Sequence, residues 1–129
     1  MNLVVLKGNL GNAPELRYTS TGTAVCHFNM ATNERWVDKN SGEPKNATEW
    51  HRIVVWGKQA EFANDYLGKG SGILVRGKLK TREWTNRDGN KQKSTEVHSQ
   101  FFEMLTSKKA PATTIEEEEE EELDELFRI

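Results

Sequence analysis

The stretch "EWHRIVVWGKQAEFANDYLGKGSGILVRGKLKTREW", residues 49–84, changes its hydrophobic period twice. From Glu49 to Gly57 the β-branched and aromatic residues read as a strand closed by glycine. Over residues 58–68 the period lengthens: Ala60, Ala63 and Leu67 follow helical spacing, and Phe62 with Tyr66 makes an i, i+4 pair. Gly68 stands where a helix C-cap belongs. Residues 72–84 read as a long strand again, with Gly77 in its middle. A glycine inside a strand marks a bend or bulge.

Outward from this segment, "LVVLKGNLG" (3–11) predicts a first strand and "AVCHFNMATNERW" (24–36) a second. "APELRYTSTGTA" (13–24) reads as a connection and "VDKNSGEPKNATE" (37–49) as a polar loop. Asp88-Gly89 is a strong hairpin signal, and it leads into a fifth strand, "KSTEVHSQFFEML" (93–105). Three strands, one short helix and two strands give an all-β chain in the order of the OB-fold, a five-stranded Greek-key barrel. The competing SH3-like barrel does not usually place a helix after the third strand.

The formal charge of −2 hides a segregation. Residues 108–129 carry Lys108, Lys109 and Arg128 against nine acids, a balance of −6, and Glu116 to Glu122 are all glutamate. Residues 1–107 then hold fifteen cations and eleven acids, or +4. Like charges in a row repel and resist folding, so 1–107 is expected to be the domain and 108–129 a disordered acidic tail. A mildly basic body suits a polyanion partner, although +4 is also ordinary for a soluble domain. Cys26 is the single cysteine, which excludes an internal disulfide and a cysteine zinc cluster. No apolar run is long enough for a membrane span, and "MNLVVLKGNL" lacks the pattern of a signal peptide, so a cytoplasmic location is expected.

Strand alternation splits the two central strands into unlike faces. Around Trp50, the residues His51, Ile53 and Val55 point one way, and Trp50, Arg52, Val54 and Trp56 the other. In the next strand Ile73, Val75 and Leu79 share an apolar face; Leu74, Arg76, Lys78, Lys80, Arg82 and Trp84 form the opposite one. Four cations on one strand face repel one another, and nothing in folding requires them. A row of phosphates would relieve that repulsion, and indoles offer flat surfaces to bases. Tryptophan is usually buried, but Trp50 and Trp56 cannot share the face of Ile53 without a register break. Trp36 and Trp84 stand at strand ends beside polar loops. Stacking needs an unpaired base, so the pattern points to single strands.

The motifs "GNLGNAPELRYTSTGTAV" (8–25), "ATNERW" (31–36), "TEWHRIVVWGKQAEFANDYLGKG" (48–70) and "GKLKTREWTNRDG" (77–89) closely resemble the bacterial and phage-type single-stranded DNA-binding protein family. The resemblance covers roughly residues 3–106. It implies an OB-fold homotetramer that binds single-stranded DNA without sequence preference in replication, repair and recombination. By position, Trp36, Trp50 and Trp84 correspond to the family's stacking aromatics, and Trp56 falls where phenylalanine is frequent. Lys39, Arg52, Lys58, Lys69, Lys80 and Arg82 match phosphate-contacting positions; Arg76 and Lys78 join them from the strand pattern. His51 resembles the family's subunit-interface histidine. Glu83 departs, because relatives often carry lysine there. The tail departs further. Relatives end in a longer Gly/Gln/Pro-rich linker and an Asp-Asp-Ile-Pro-Phe tip, whereas this chain ends "LDELFRI". Leu123, Asp124, Glu125, Leu126, Phe127 and Ile129 keep the acidic-then-hydrophobic order by which relatives recruit replication and repair proteins. With such a partner the location would be the nucleoid, or the host cytoplasm if a phage encodes the chain.

Other classes fare less well. Three histidines are scattered over the strands without metal spacing, and no P-loop or nucleophile–base motif is present, so no enzyme, cofactor or metal is expected. An RNA-binding OB module of cold-shock type would lack this helix and tail, though stacking alone does not separate RNA from DNA. A protein-interaction adaptor would use the basic face against an acidic partner.

Overall fold

The computed structural model describes residues 1–106. The expected tail, with its tip Leu123, Asp124, Glu125, Leu126, Phe127 and Ile129, lies outside the described residues. The elements are β1 (Val4–Leu10), β2 (Glu15–Tyr18), β3 (Ala24–Val37), β4 (Pro44–Trp56), α1 (Lys58–Tyr66), β5 (Gly72–Thr85) and β6 (Lys91–Met104).

Five of the strands close a barrel. β1 pairs antiparallel with β5, β5 with β6, and β3 with β4. A short parallel contact, Ile53 with Val97 and Val54 with His98, joins β4 to β6. Asn9 with Ala31 and Leu10 with Met30 then join β1 to β3 and complete the ring. This is the OB-fold order, with the helix between the third and fourth barrel strands as the sequence predicts. Phe28, Met30, Ile53, Val55, Ile73 and Val75 fill the barrel, fully buried; α1 packs against it with Ala60 and Ala63, and Leu67 follows just past the helix end.

The structure corrects the sequence reading in four places. The segment 13–24 is not wholly a connection: Glu15–Tyr18 pairs with β3 from His27 to Ala24, sharing with β1 one edge of that strand. The polar loop shrinks to 38–43, because residues 44–49 already belong to β4 and pair with β3 as a hairpin arm. Gly68 does not cap the helix in a left-handed conformation. Leu67 ends it in extended geometry (φ −96°, ψ 147°), and the Gly68 N–H instead donates to Ser71 Oγ at 3.0 Å. Leu79, expected in the core, is half exposed. It lies on the arm formed by β5 and β6, beyond the core cluster that covers Ile73 and Val75 on the same strand. Asn2 holds this point, accepting from the Leu79 N–H and donating to its carbonyl, both at 2.9 Å.

The predicted irregularity at Gly77 is present. The β5–β6 register shifts between Arg76 and Gly77, and a Cβ at Gly77 would collide with the His98 carbonyl oxygen. The strand therefore bends where it leaves the barrel. The Asp88-Gly89 turn also forms, with Asn86 N–H donating to the Asn90 carbonyl and Gly89 at φ 81°.

Candidate nucleic-acid interface

The sequence assigned the tryptophan face and the cation face to two separate strands. The structure makes them one surface, because β6 runs between β4 and β5. Residues directly opposite in a sheet share a face. Lys78 opposes His98, Lys80 opposes Glu96, Arg82 opposes Ser94 and Trp84 opposes Gln92. On the other side of β6, the pairing of Ile53 with Val97 sets Arg52 beside Glu96 and Val54 against His98.

None of the four indoles is core: Trp50 is 61% exposed, Trp36 49%, and Trp56 and Trp84 44% each. Trp50 rests one side of its ring on Gly11, where any Cβ would collide with the indole. Glycine at this position gives the ring a seat against backbone. The Trp56 indole N–H donates to His98 Nδ1 at 3.3 Å, with the ring centroids 6.2 Å apart. Trp36 sits on the β3–β4 arm opposite Lys45. Alternation puts it on the face that continues Phe28 and Met30, not the face of Trp50.

Two of the predicted phosphate contacts converge. Arg52 Nε lies 2.9 Å from Glu96 Oε2, and Arg82 Nε 3.6 Å from Glu96 Oε1. The Glu96 side chain is only 5% exposed, and His98 Nε2 lies 3.5 Å from its Oε1. Lys78 and Lys80 stand exposed on the same face. Arg76 does not join them: it lies over the Phe101 ring at 5.7 Å, opposite Val5 of β1. Lys39 occupies the β3–β4 turn, Lys58 opens α1 and Lys69 follows its end, all exposed. His51 is half-buried and shares a 2.8 Å hydrogen bond between its Nε2 and Thr32 Oγ1. Glu83 pairs with Lys93 at 3.8 Å.

Sequence reasoning missed Glu96, His98 and Gly11. A signal existed for the first two, since "TEVHS" alternates about Val97 and must point Glu96 and His98 away from the core. Gly11 left no such trace; its role depends on a contact with a residue 39 positions away. Among the described residues no group of three or more His, Cys, Asp or Glu side chains is placed to hold a metal ion. No described helix is long and apolar enough to cross a membrane.

A closed OB barrel bearing exposed indoles and a cationic outer face defines the class to which the molecule belongs, a nucleic-acid-binding OB-fold. The model of the single-strand binding protein family matches residues 1–105, and the chain belongs to that family. Among solved structures it is similar to the Plasmodium falciparum SSB in complex with ssDNA, at 34% identity and a TM-score of 0.75, over 81% of this chain and 95% of that one. It is also similar to a deletion mutant of the single-stranded DNA binding protein from Thermus aquaticus, at 36% identity and a TM-score of 0.70. That match covers 81% of this chain and spans 50% of the Thermus chain. Proteins of this family bind DNA and are not enzymes.

Proposed function

We propose that the chain binds single-stranded DNA without sequence preference and protects it during replication, repair and recombination. The observation that carries this reading is the single outer surface on which Trp50, Trp56 and Trp84 accompany Arg52, Lys78, Lys80 and Arg82. Family membership and likeness to a structure titled as an ssDNA complex support it. In this reading bases stack on Trp50, Trp56 and Trp84, and on Trp36 along the β3–β4 arm. Phosphates meet Arg52, Arg82, Lys78 and Lys80, with Lys39, Lys58 and Lys69 extending the track. Arg76 takes a lesser part, because it is engaged with Phe101.

The finer family expectations belong to the same proposal. The chain would assemble as a homotetramer with His51 at a subunit interface, and its acidic tail would recruit replication and repair proteins. The exposed apolar residues Leu3, Val5 and Phe101 are consistent with association of copies.

Titration with oligo-dT, followed by tryptophan fluorescence and light scattering at several salt concentrations, tests the reading. Quenching should saturate, and affinity should fall linearly on a log–log plot as salt releases counterions, with a slope of about −0.7 per phosphate contact. Absence of quenching would sink the stacking role and favour the adaptor reading. Tighter binding of a matched RNA oligonucleotide would replace DNA as the ligand.

A further inference from the structure

We propose that Glu96 is a positioning residue for the DNA-binding face, one buried carboxylate that fixes two guanidiniums and, through His98, one indole. The inference rests on the reading that Arg52 and Arg82 meet phosphate.

A carboxylate at 5% exposure on the outer side of a strand is costly unless paired and hydrogen-bonded. Here its two oxygens are divided among three partners. Oε2 takes Arg52 at 2.9 Å; Oε1 faces Arg82 at 3.6 Å and His98 at 3.5 Å. Each arginine approaches through Nε. A guanidinium has five N–H donors, so one carboxylate oxygen leaves most of them for another anion. Two guanidiniums this close would repel without the shared acid between them. Glu96 therefore holds a pair of cations, drawn from β4 and β5, that neither strand could hold alone.

The third link runs to an indole. An indole N–H only donates, so His98 Nδ1, which receives Trp56 at 3.3 Å, must be bare. The ring proton then sits on Nε2, the nitrogen aimed at Glu96. The carboxylate thus selects the histidine tautomer that accepts Trp56, as outer partners do for histidines at other sites. A free arginine side chain samples many rotamers, and fixing two of them during folding spares that entropy loss when DNA arrives.

A carboxylate near a phosphate track also repels it, and this opposing effect gives the test its sign. Glu96→Gln keeps the shape and removes the charge. If positioning dominates, affinity for oligo-dT should fall by about tenfold, and the Trp56 indole N–H resonance should shift in a 15N spectrum of the free protein. Equal or tighter binding, or an unmoved Trp56 resonance, would overturn the proposal. In an Arg52→Ala/Arg82→Ala background, Glu96→Gln should cost little more, whereas an undiminished effect there would show that it does not act through the arginines. If Glu96→Gln does not fold, Glu96→Asp carries the same comparison, with a smaller loss expected and equal or tighter binding again overturning the proposal. Unchanged binding by the double arginine variant sinks the phosphate reading, and the inference with it. Weakened binding there, with full affinity in Glu96→Gln, sinks the inference alone.

Discussion

β3, β4, β5 and β6 each live two lives. Their barrel halves carry residues such as Phe28, Ile53, Val75 and Val97 at 3% exposure or less. Their outer halves, residues 33–37, 44–50, 78–85 and 91–94, form two-stranded arms exposed on both sides or nearly so. In the barrel a side chain is held by packing from all sides. On the arms it is held by its cross-strand partner, as Thr48 Oγ1 is by Asn33 at 2.8 Å or Glu83 by Lys93. The barrel gives the molecule its stability. The arms and the surface at their roots are where large residues stay available to a ligand.

This division can be broken most severely from the barrel side. Phe28→Ala removes a ring that is 1% exposed and leaves a cavity, so stability should fall by about 3–5 kcal/mol in urea denaturation. A loss well under that range would mean that the barrel half is no better packed than the arms.

The next effect in size belongs to the exposed surface. Trp50→Ala and Trp84→Ala should each weaken binding of single strands by about 1–3 kcal/mol, regardless of sequence. Their denaturation midpoints should move far less than for Phe28→Ala, since neither ring belongs to the buried core. A large fall in stability with unchanged affinity would assign these indoles to structure instead of binding.

A smaller effect is pH-dependent and separates the two environments again. Burial in the barrel, with a lesser contribution from Glu15, pushes the Cys26 thiol from 9.0 up to about 11. The folded state therefore keeps a proton that the unfolded state releases, and stability from this group should decline as pH rises from 9.0 towards 11. The decline should be shallower in Cys26→Ala. Identical slopes would show that the thiol does not couple to unfolding.

Much of the fold was legible because periodicity reports burial directly. The helix at 58–66 and the strands around Phe28, Ile53, Val75 and Val97 follow from spacing alone. Leu79 was misplaced because alternation tells which face a residue occupies but not whether that face is covered. Glu15–Tyr18 was missed because a short edge strand is stabilised by its neighbour, and its own pattern is weak. At the candidate site, the indoles and the cations were legible as residue types on alternating faces. Their union was not, since it depends on β6 lying between β4 and β5.

By itself, the sequence determined the class of barrel, the place of the helix, the bend at Gly77, and the strand faces that carry Trp50, Arg52, Lys80 and Arg82. These depend on local spacing and on residue chemistry. Only the tertiary structure decided that a buried Glu96 ties Arg52 to Arg82, that His98 receives Trp56, and that Gly11 seats Trp50. Those contacts join residues 14 to 44 positions apart in the chain. Closure of the barrel brings them together, and no local period encodes it.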